Sequence, residues 1–373
     1  MGNLHKFFQT MEILNSIAQE TLSKAALELL RLSLSGDPSQ QELDDFLAGW
    51  DIEAAPIAEP ILMSYVMKMH PELVCPEAIR PRLNGLISFC RYQFLNLVGH
   101  FGSYTRALQA EGIDFLIMKG GAMKALRPEF PRWMGDIDIL VREKDYEKAE
   151  EVAARCGFTI SHSIQSMDLS KNGQGLLDVH RYVLIFTGKE RAINEDLFAR
   201  SVPTRVFSVE AHMPSREDLL FLILVNMVRN LADASGQESV LYSFFDVKYL
   251  MEPQDGCPFN WEIVRQNAVR TGAQVHLMLA ARFLNGVMPG LFPEDKLENP
   301  GEAAVSRLEV WVGYRRYVLM KERAQINGEY NVVKAIRGGR PFFPYMALRA
   351  RFFVHKRLQF CTGITRHILK RYQ

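Results

Sequence analysis

The sequence predicts an α+β protein in which a small mixed β-sheet lies between two helical regions. Apolar side chains recur at helical spacing through residues 1–110 and again from Ser215 onward. Between these stretches, short apolar runs alternate with helical segments, as expected of strands joined by helices. These changes divide the chain into four predicted regions: an N-terminal helical region (1–110), an α/β core (111–212), a C-terminal helical domain (213–330) and a tail (331–373).

Individual elements follow from local signals. The stretch "GDPSQQELDDFLAGW" predicts a helix with Asp37 as its N-cap, Pro38 at its first position and Gly49 as its stop. In the core, "IDFLIM" predicts a strand, "GAMKAL" the start of a helix, "DIDILV" a second strand and "EKDYEKAEEVAARCGF" a second helix. "GLLDVHRYVLI" and "TRVFSVEAH" each predict one further strand. Ser215 is predicted to cap the first helix that follows, with Asp218 three residues on.

Composition narrows the class of protein. The five cysteines are scattered and contain no C-x-x-C pair, which favours free thiols in a reducing cytoplasm over a zinc site. The longest apolar run, residues 219–225, is far shorter than the ~20 residues that a transmembrane helix needs. The sequence therefore predicts a cytoplasmic protein.

The tail is basic and aromatic. Residues 331–373 hold ten Lys or Arg and no Asp or Glu, so that the rest of the chain carries 34 basic against 43 acidic residues, a net charge of −9. Such a segment could associate with anionic lipid headgroups at the inner face of the membrane or with an anionic partner. Alternatively, it is a terminal helix that packs its aromatic side on the protein and exposes its basic side chains.

The most informative stretch is "DIDILV", which contains Asp136 and Asp138. Side chains alternate across a strand, so the two carboxylates share one face while Ile137 and Ile139 point to the other. Like charges held this close repel each other, and a divalent cation that bridges them removes the repulsion. Mg²⁺ prefers a pair of carboxylates together with substrate phosphate oxygens. The pair therefore predicts a magnesium site, which Mn²⁺ could also occupy.

A third carboxylate follows on a later strand. The same alternation in "LLDVHRYV" turns Asp178 and His180 outward, and a neighbouring strand could bring Asp178 beside the first two carboxylates. Three carboxylates could hold two metal ions and promote in-line attack on a phosphate. His180 is a supporting residue, with a structural hydrogen bond as the alternative.

A glycine-containing turn precedes the pair. Lys119, Gly120 and Gly121 lie where the first strand passes into a helix, so that backbone N–H groups can approach a phosphate closely. Lys119 adds a positive charge, and Arg132, four residues before Asp136, could add another. These four residues are the predicted nucleotide-binding set.

The order K-G-x-x-(L/M), then R-x-x-x-D-I-D-(I/L)-L-V, then a carboxylate and a histidine on an apolar strand, resembles the uncharacterised bacterial nucleotidyltransferase family of the polymerase-beta-like superfamily. The resemblance covers roughly residues 88–253 and implies a nucleotidyltransferase core in which Asp136, Asp138 and Asp178 bind Mg²⁺. It implies transfer of a nucleoside monophosphate from an NTP such as ATP to an acceptor, with release of pyrophosphate. The acceptor stays open among a sugar phosphate, a small metabolite, a peptide, a protein side chain and an RNA end.

The chain departs from the family pattern at two points. The third carboxylate is usually Glu, whereas Asp178 is one methylene shorter, and Asn226 and Asn230 stand where histidines are common. Asp246 matches a carboxylate common in the helical region, with a structural role as the alternative. Two other functions stay open: a metal-dependent glycosyltransferase that uses the D-x-D motif, and a scaffold protein that binds nucleotide with weakened catalysis.

Overall fold

In the computed structural model, the described residues are 22–34, 36–130, 132–163, 165–172, 174–184, 191–206, 209–233, 237–253, 258–313 and 315. They all belong to the compact unit Met1–Arg316, and the second unit, Tyr317–Gln373, lies outside them. The basic tail therefore falls outside the described residues, and both interpretations of it stay predictions. The predicted divisions at residues 110, 212 and 330 also stay predictions.

Before the first strand, helices are the only regular elements longer than one turn among the described residues. They are α1 (Lys24–Leu34), α2 (Gln40–Ala48), α3 (Ala58–Met69) and α4 (Arg80–Ala110). The prediction that Asp37 caps α2 is wrong, because Ser39 lies one position before the helix and forms a capping box with Glu42. The Ser39 hydroxyl accepts a hydrogen bond from the Glu42 N–H, and the Glu42 carboxylate accepts one from the Ser39 N–H. The stop at Gly49 is confirmed.

The core of the chain is a seven-stranded mixed sheet. Its strands are β1 (Phe115–Ile117), β2 (Ile137–Val141), β3 (Thr159–His162), β4 (Ser166–Lys171), β5 (Gln174–His180), β6 (Val202–Val206) and β7 (Val209–Met213). Their order across the sheet is β3-β4-β5-β2-β1-β7-β6. Three short helices accompany them: α5 (Lys119–Leu126), α6 (Tyr146–Arg155) and α7 (Asn194–Ala199). The predicted α+β class is confirmed.

β2 lies in the middle of the sheet between β1 and β5. It pairs antiparallel with β1 and parallel with β5. Ile137 and Ile139 are fully buried on the inner face, and their neighbours Leu177 and Val179 on β5 are also buried. This apolar packing sets the register, because a shift by one residue would move every buried side chain to the other face. The register in turn decides which carboxylates meet.

Two parts of the sheet differ from the sequence prediction. The stretch "TRVFSVEAH" is not one strand, because its two ends belong to the separate strands β6 and β7, which pair antiparallel. β3 and β4 were not predicted, since their polar side chains hide a short alternating pattern. In β4, only Met167 and Leu169 are buried apolar side chains.

Helices return after the sheet. They are α8 (Arg216–Leu231), α9 (Gln237–Met251), α10 (Trp261–Thr271), α11 (Gln274–Val287) and a further helix at 302–313. The Ser215 hydroxyl accepts a hydrogen bond from the Asp218 N–H at 3.2 Å, which confirms the predicted cap of α8. Of the helices among the described residues, none combines the length and the apolar character that a membrane span requires.

Candidate active site

Asp138 and Asp178 lie side by side at the centre of the sheet. They are direct register partners on the parallel strands β2 and β5. Their side chains are 15 and 16% exposed, whereas the inner-face residues next to them are fully buried. The two carboxylates therefore share the outward face of the sheet, where a ligand can reach them.

His180 joins the two carboxylates. Its Nε2 atom lies 2.9 Å from Oδ1 of Asp138 and 2.9 Å from Oδ2 of Asp178. Because His180 follows Asp178 by two residues on the same strand, its ring starts on the same face and reaches back between the acids. The ring is almost completely buried, so it is a fixed part of the cluster.

Lys119 supplies a positive charge to this cluster. Its ammonium group donates a hydrogen bond to Oδ1 of Asp138, and its Nζ atom lies 3.4 Å from Nε2 of His180. Lys119 is the first residue of α5 and has a φ of +46°, a left-handed conformation that is unfavourable for a side chain other than glycine. Such strain concentrates at functional sites. The Asp138 carboxylate thus already has a positively charged protein group, the Lys119 ammonium, beside it.

Charged neighbours and hydrogen bonds shift the pKa values of the three groups in the cluster. Burial acts to raise the pKa of Asp138, but the Lys119 charge and the His180 hydrogen bond outweigh it, so its pKa lies well below the usual range. Burial also opposes ionisation of Asp178, yet the hydrogen bond from His180 lowers its pKa. The same bonds outweigh burial and the Lys119 charge at His180 and raise its pKa. Asp138 and Asp178 are therefore ionised, and His180 gains proton affinity.

Asp136 occupies a different position. It precedes β2, and the group whose ligand atoms lie within 4.8 Å of one another contains Asp138, Asp178 and His180 rather than Asp136. Part of the Asp136 residue is exposed. Nevertheless, the surrounding protein partly desolvates its carboxyl group, and this desolvation and the Asp138 charge raise the pKa of Asp136. The direction follows from the repulsion of two neighbouring carboxylates. Asp136 is therefore the acid of the pair that takes up a proton more readily.

The two glycines of the turn have different surroundings. A Cβ atom on Gly121 would lie 2.8 Å from Cδ1 and Cγ1 of Ile117 and 3.2 Å from Cγ2 of Ile137. A Cβ atom on Gly120 would make only ordinary contacts, at 3.6 Å from Nε of Arg132. Gly121 is thus required for α5 to pack closely on the sheet, whereas packing leaves Gly120 free to serve a ligand.

Arg132 already has a protein partner. Its guanidinium donates two hydrogen bonds to the Asp246 carboxylate of α9, at 2.9 and 2.8 Å, and both side chains are buried. The guanidinium also lies over the Tyr242 ring, 4.9 Å from its centroid. This pair ties the loop before β2 to the C-terminal helices. The role of Arg132 as a nucleotide ligand stays a prediction, and Asp246 has the structural role that the sequence left as an alternative.

The structure adds one acid that sequence reasoning missed. Asp168 of β4 is the direct register partner of Asp178 in an antiparallel pair, so Asp138, Asp178 and Asp168 form a row across three strands. Opposite residues in such a pair lie on the same face. Burial and the Asp178 charge raise the pKa of Asp168. The signal was present in the alternation of "SMDLSK" but is weak over so few residues.

The cluster fits a divalent cation. Asp138, Asp178 and His180 offer two oxygen ligands and one nitrogen ligand within 4.8 Å of one another. Oδ1 of Asp178 is buried and has no hydrogen bond of standard geometry among the described residues, so one ligand atom is available. The acids also outnumber the cations, since Asp136 and Asp168 adjoin a cluster in which the described residues supply one ammonium group, that of Lys119. A cation at Asp138 would compete with the Lys119 ammonium for this carboxylate.

The adjacent strand carboxylates, together with His180, form a cluster on a mixed sheet that could hold a metal ion, beside a turn that begins at the strained Lys119. The chain belongs to a family of uncharacterised nucleotidyltransferases, whose family model matches residues 58–289. This range contains every predicted site residue. No curated protein matches the chain significantly.

One similar solved structure is that of an antigenic nucleotidyltransferase-like protein from Paracoccidioides brasiliensis. It is 15% identical, with a TM-score of 0.31, and the match covers 49% of this chain and 90% of that protein. The family match confirms the predicted resemblance and makes the protein a nucleotidyltransferase. It does not test the bacterial part of that prediction.

Proposed function

We propose that this nucleotidyltransferase moves a nucleoside monophosphate from an NTP to an acceptor hydroxyl in a Mg²⁺-dependent reaction. The observation that supports the proposal best is the direct pairing of Asp138 with Asp178, with His180 between them. Asp136, Asp138 and Asp178 are the proposed metal ligands, and Lys119, Gly120 and Gly121 form the proposed triphosphate turn. Mg²⁺ would offset phosphate charge at this site, and Mn²⁺ could replace it.

The chain's own residues have distinct proposed roles. The acceptor oxygen forms a bond to the α-phosphorus, the α–β P–O bond breaks, and pyrophosphate leaves with the bonding electrons. The hydroxyl proton passes to the Asp178 carboxylate. Lys119 moves from Asp138 to the phosphates, because its ammonium is the positive group of the cluster on a long, flexible side chain. His180 keeps the Asp178 carboxylate oriented.

The test uses α-labelled NTPs, each supplied singly with Mg²⁺ and a pool of small metabolites, and measures pyrophosphate and labelled products. Asp138→Asn and Asp178→Asn should each lower turnover by roughly a thousandfold, because a metal ion contributes several kcal/mol at such sites. Asp114→Asn is the matched control, since Asp114 is an exposed acid at the start of the sheet. Unchanged turnover in both site variants would contradict the assignment.

A second candidate is a protein that binds nucleotide with weakened catalysis. It is favoured by the contact between Lys119 and Asp138, because that ion pair already neutralises one predicted metal ligand. It predicts that NTP binds to the full chain, while no acceptor pool yields pyrophosphate. The glycosyltransferase alternative lacks such support, since helices alone precede β1 among the described residues. Release of UDP or GDP from a sugar nucleotide would revive it.

A further inference from the structure

A pocket opens beside Met118 and Lys119, where β1 passes into α5. Its enclosed part has a volume of about 10 Å³, and the space out to its open mouth is about 340 Å³. Residues that follow β5 and one face of α8 line it. Val183, Leu184 and Leu222 form its apolar part. Of the proposed triphosphate turn, Lys119 lines the pocket, whereas Gly120 and Gly121 do not. The pocket therefore adjoins the proposed triphosphate site and shares Lys119 with it.

Its polar part consists of hydrogen-bond donors that have no protein partner. Gln165, Asn226 and Arg229 line the pocket, and their side chains make no hydrogen bond or ion pair with any described part of the protein. Gln165 is only 7% exposed, and it lines the pocket, where its amide group can bond to a ligand. A ligand that pairs with such donors gains charge-assisted or neutral hydrogen bonds.

The backbone holds these side chains in place. Leu222, Asn226 and Arg229 follow one another at spacings of four and three residues, which places them on one face of α8. The Gln165 carbonyl accepts hydrogen bonds from the N–H groups of Arg181 and Tyr182, which fastens the turn before β4 to the end of β5. The donors therefore converge from two fixed elements.

The donor set indicates the chemistry of the ligand. Arg229, Asn226 and Gln165, with Lys119 at the inner end, offer two positive charges and two amide groups. A carboxylate has two oxygens to accept these bonds, whereas a phosphate ester has three terminal oxygens and a higher charge. The enclosed part of the pocket, about 10 Å³, has room for about one water molecule, so a ligand would lie mainly in the open mouth.

We propose that this pocket binds the acceptor, and that the acceptor is a small phosphorylated metabolite whose phosphate contacts Arg229 and Asn226. The inference rests on the proposed function, because it assigns the second substrate of the same site. The phosphate lies at the pocket end marked by Arg229, and the apolar residues contact the carbon skeleton. The acceptor hydroxyl then faces Lys119 and the carboxylates.

The test is calorimetric titration of sn-glycerol 3-phosphate into the full chain, first saturated with Mg²⁺ and the four α,β-methylene NTP analogues so that the triphosphate site is filled. Wild-type protein should bind this probe and not glycerol. Arg229→Gln should weaken its binding about tenfold, since one charge-assisted hydrogen-bond donor is lost. Asn226→Asp should abolish binding, because it places a negative charge in the pocket. Arg205→Gln, at an exposed arginine of β6, should change nothing.

The outcomes separate the two proposals. Failure of wild-type protein to bind either glycerol phosphate or inorganic phosphate while it binds the NTP analogues overturns the pocket assignment and leaves the proposed function standing. Equal weakening of analogue binding by Arg229→Gln assigns the pocket to the nucleotide and also overturns it. If the probe binds as expected but no analogue does, the anion pocket stands and the proposed function fails.

Discussion

The ammonium group of Lys119 forms an ion pair with the Asp138 carboxylate, at the position where a divalent cation would also contact that acid. Lys119 thus neutralises part of the negative charge of Asp138, although both residues belong to the sequence pattern that predicts the site. The pair links the proposed triphosphate turn to the proposed metal ligands, because Lys119 is the first residue of both the turn and α5.

The first prediction concerns this competition. Lys119→Met removes the charge and keeps the side-chain length, so Asp138 becomes available to a cation. In the absence of nucleotide, Mn²⁺ should bind the variant about tenfold more tightly, or by roughly 1.4 kcal/mol, because the ammonium that competes for Asp138 is gone. NTP should bind less tightly, because a phosphate contact is lost. Metal and nucleotide titrations measure both effects, and parallel changes in the two affinities would refute the competition.

A second prediction compares the two glycines. Gly121→Ala should lower the free energy of unfolding by about 1–3 kcal/mol, because the added methyl group overlaps Ile117 and Ile137. Gly120→Ala should leave it unchanged or raise it by up to ~1 kcal/mol, since alanine favours the helix and meets only ordinary contacts. Urea denaturation measures both. If Gly120→Ala instead weakens NTP binding at unchanged stability, the close approach of phosphate to this glycine is supported.

A third prediction concerns the buried pair of Arg132 and Asp246. Asp246→Leu leaves the Arg132 guanidinium buried without its counter-ion and should lower the free energy of unfolding by about 3–5 kcal/mol. The double variant Arg132→Met, Asp246→Leu should recover much of this loss, because no isolated charge remains. Removal of Glu210, the exposed partner of Arg205, serves as the control and should have little effect. Equal stability of the single and double variants would refute the pair's importance.

A fourth prediction is a pH dependence that arises away from the site. Both carboxylate oxygens of Glu309 are buried without a hydrogen-bond partner among the described residues, and burial raises the pKa of Glu309 to about 7, although Arg282 opposes the shift. A raised pKa means that the protonated form is favoured in the folded state. The contribution of Glu309 to the free energy of unfolding is therefore fully present below the unfolded-state pKa near 4.5, and it is lost as the pH rises through about 7.

Glu309→Gln should remove this loss. The variant should match wild-type protein in thermal stability at pH 4, and its midpoint should exceed that of wild-type protein increasingly between pH 5 and pH 8. Glu302→Gln, at an exposed position of the same helix, should show no such divergence. A constant difference across this pH range would mean that Glu309 does not titrate as inferred.

Much of the site could be predicted because it depends on local rules. Because side chains alternate along a strand, Asp138 points to the opposite face from Ile137 and Ile139, whatever the strand packs against. The Ser215 cap and the stop at Gly49 also depend on neighbouring residues alone. The weak strands β3 and β4 were missed because their pattern is short and their apolar side chains are few.

The sequence by itself thus determined that acidic side chains line one face of a buried strand behind a glycine turn, since a strand's pleat requires no distant partner. Tertiary structure alone decided that Asp178 meets Asp138, that His180 fills the space between them, and that Arg132 pairs with Asp246, 114 residues away. These contacts depend on strand order and helix packing, which minimise exposed apolar surface over the whole chain and which no local spacing encodes.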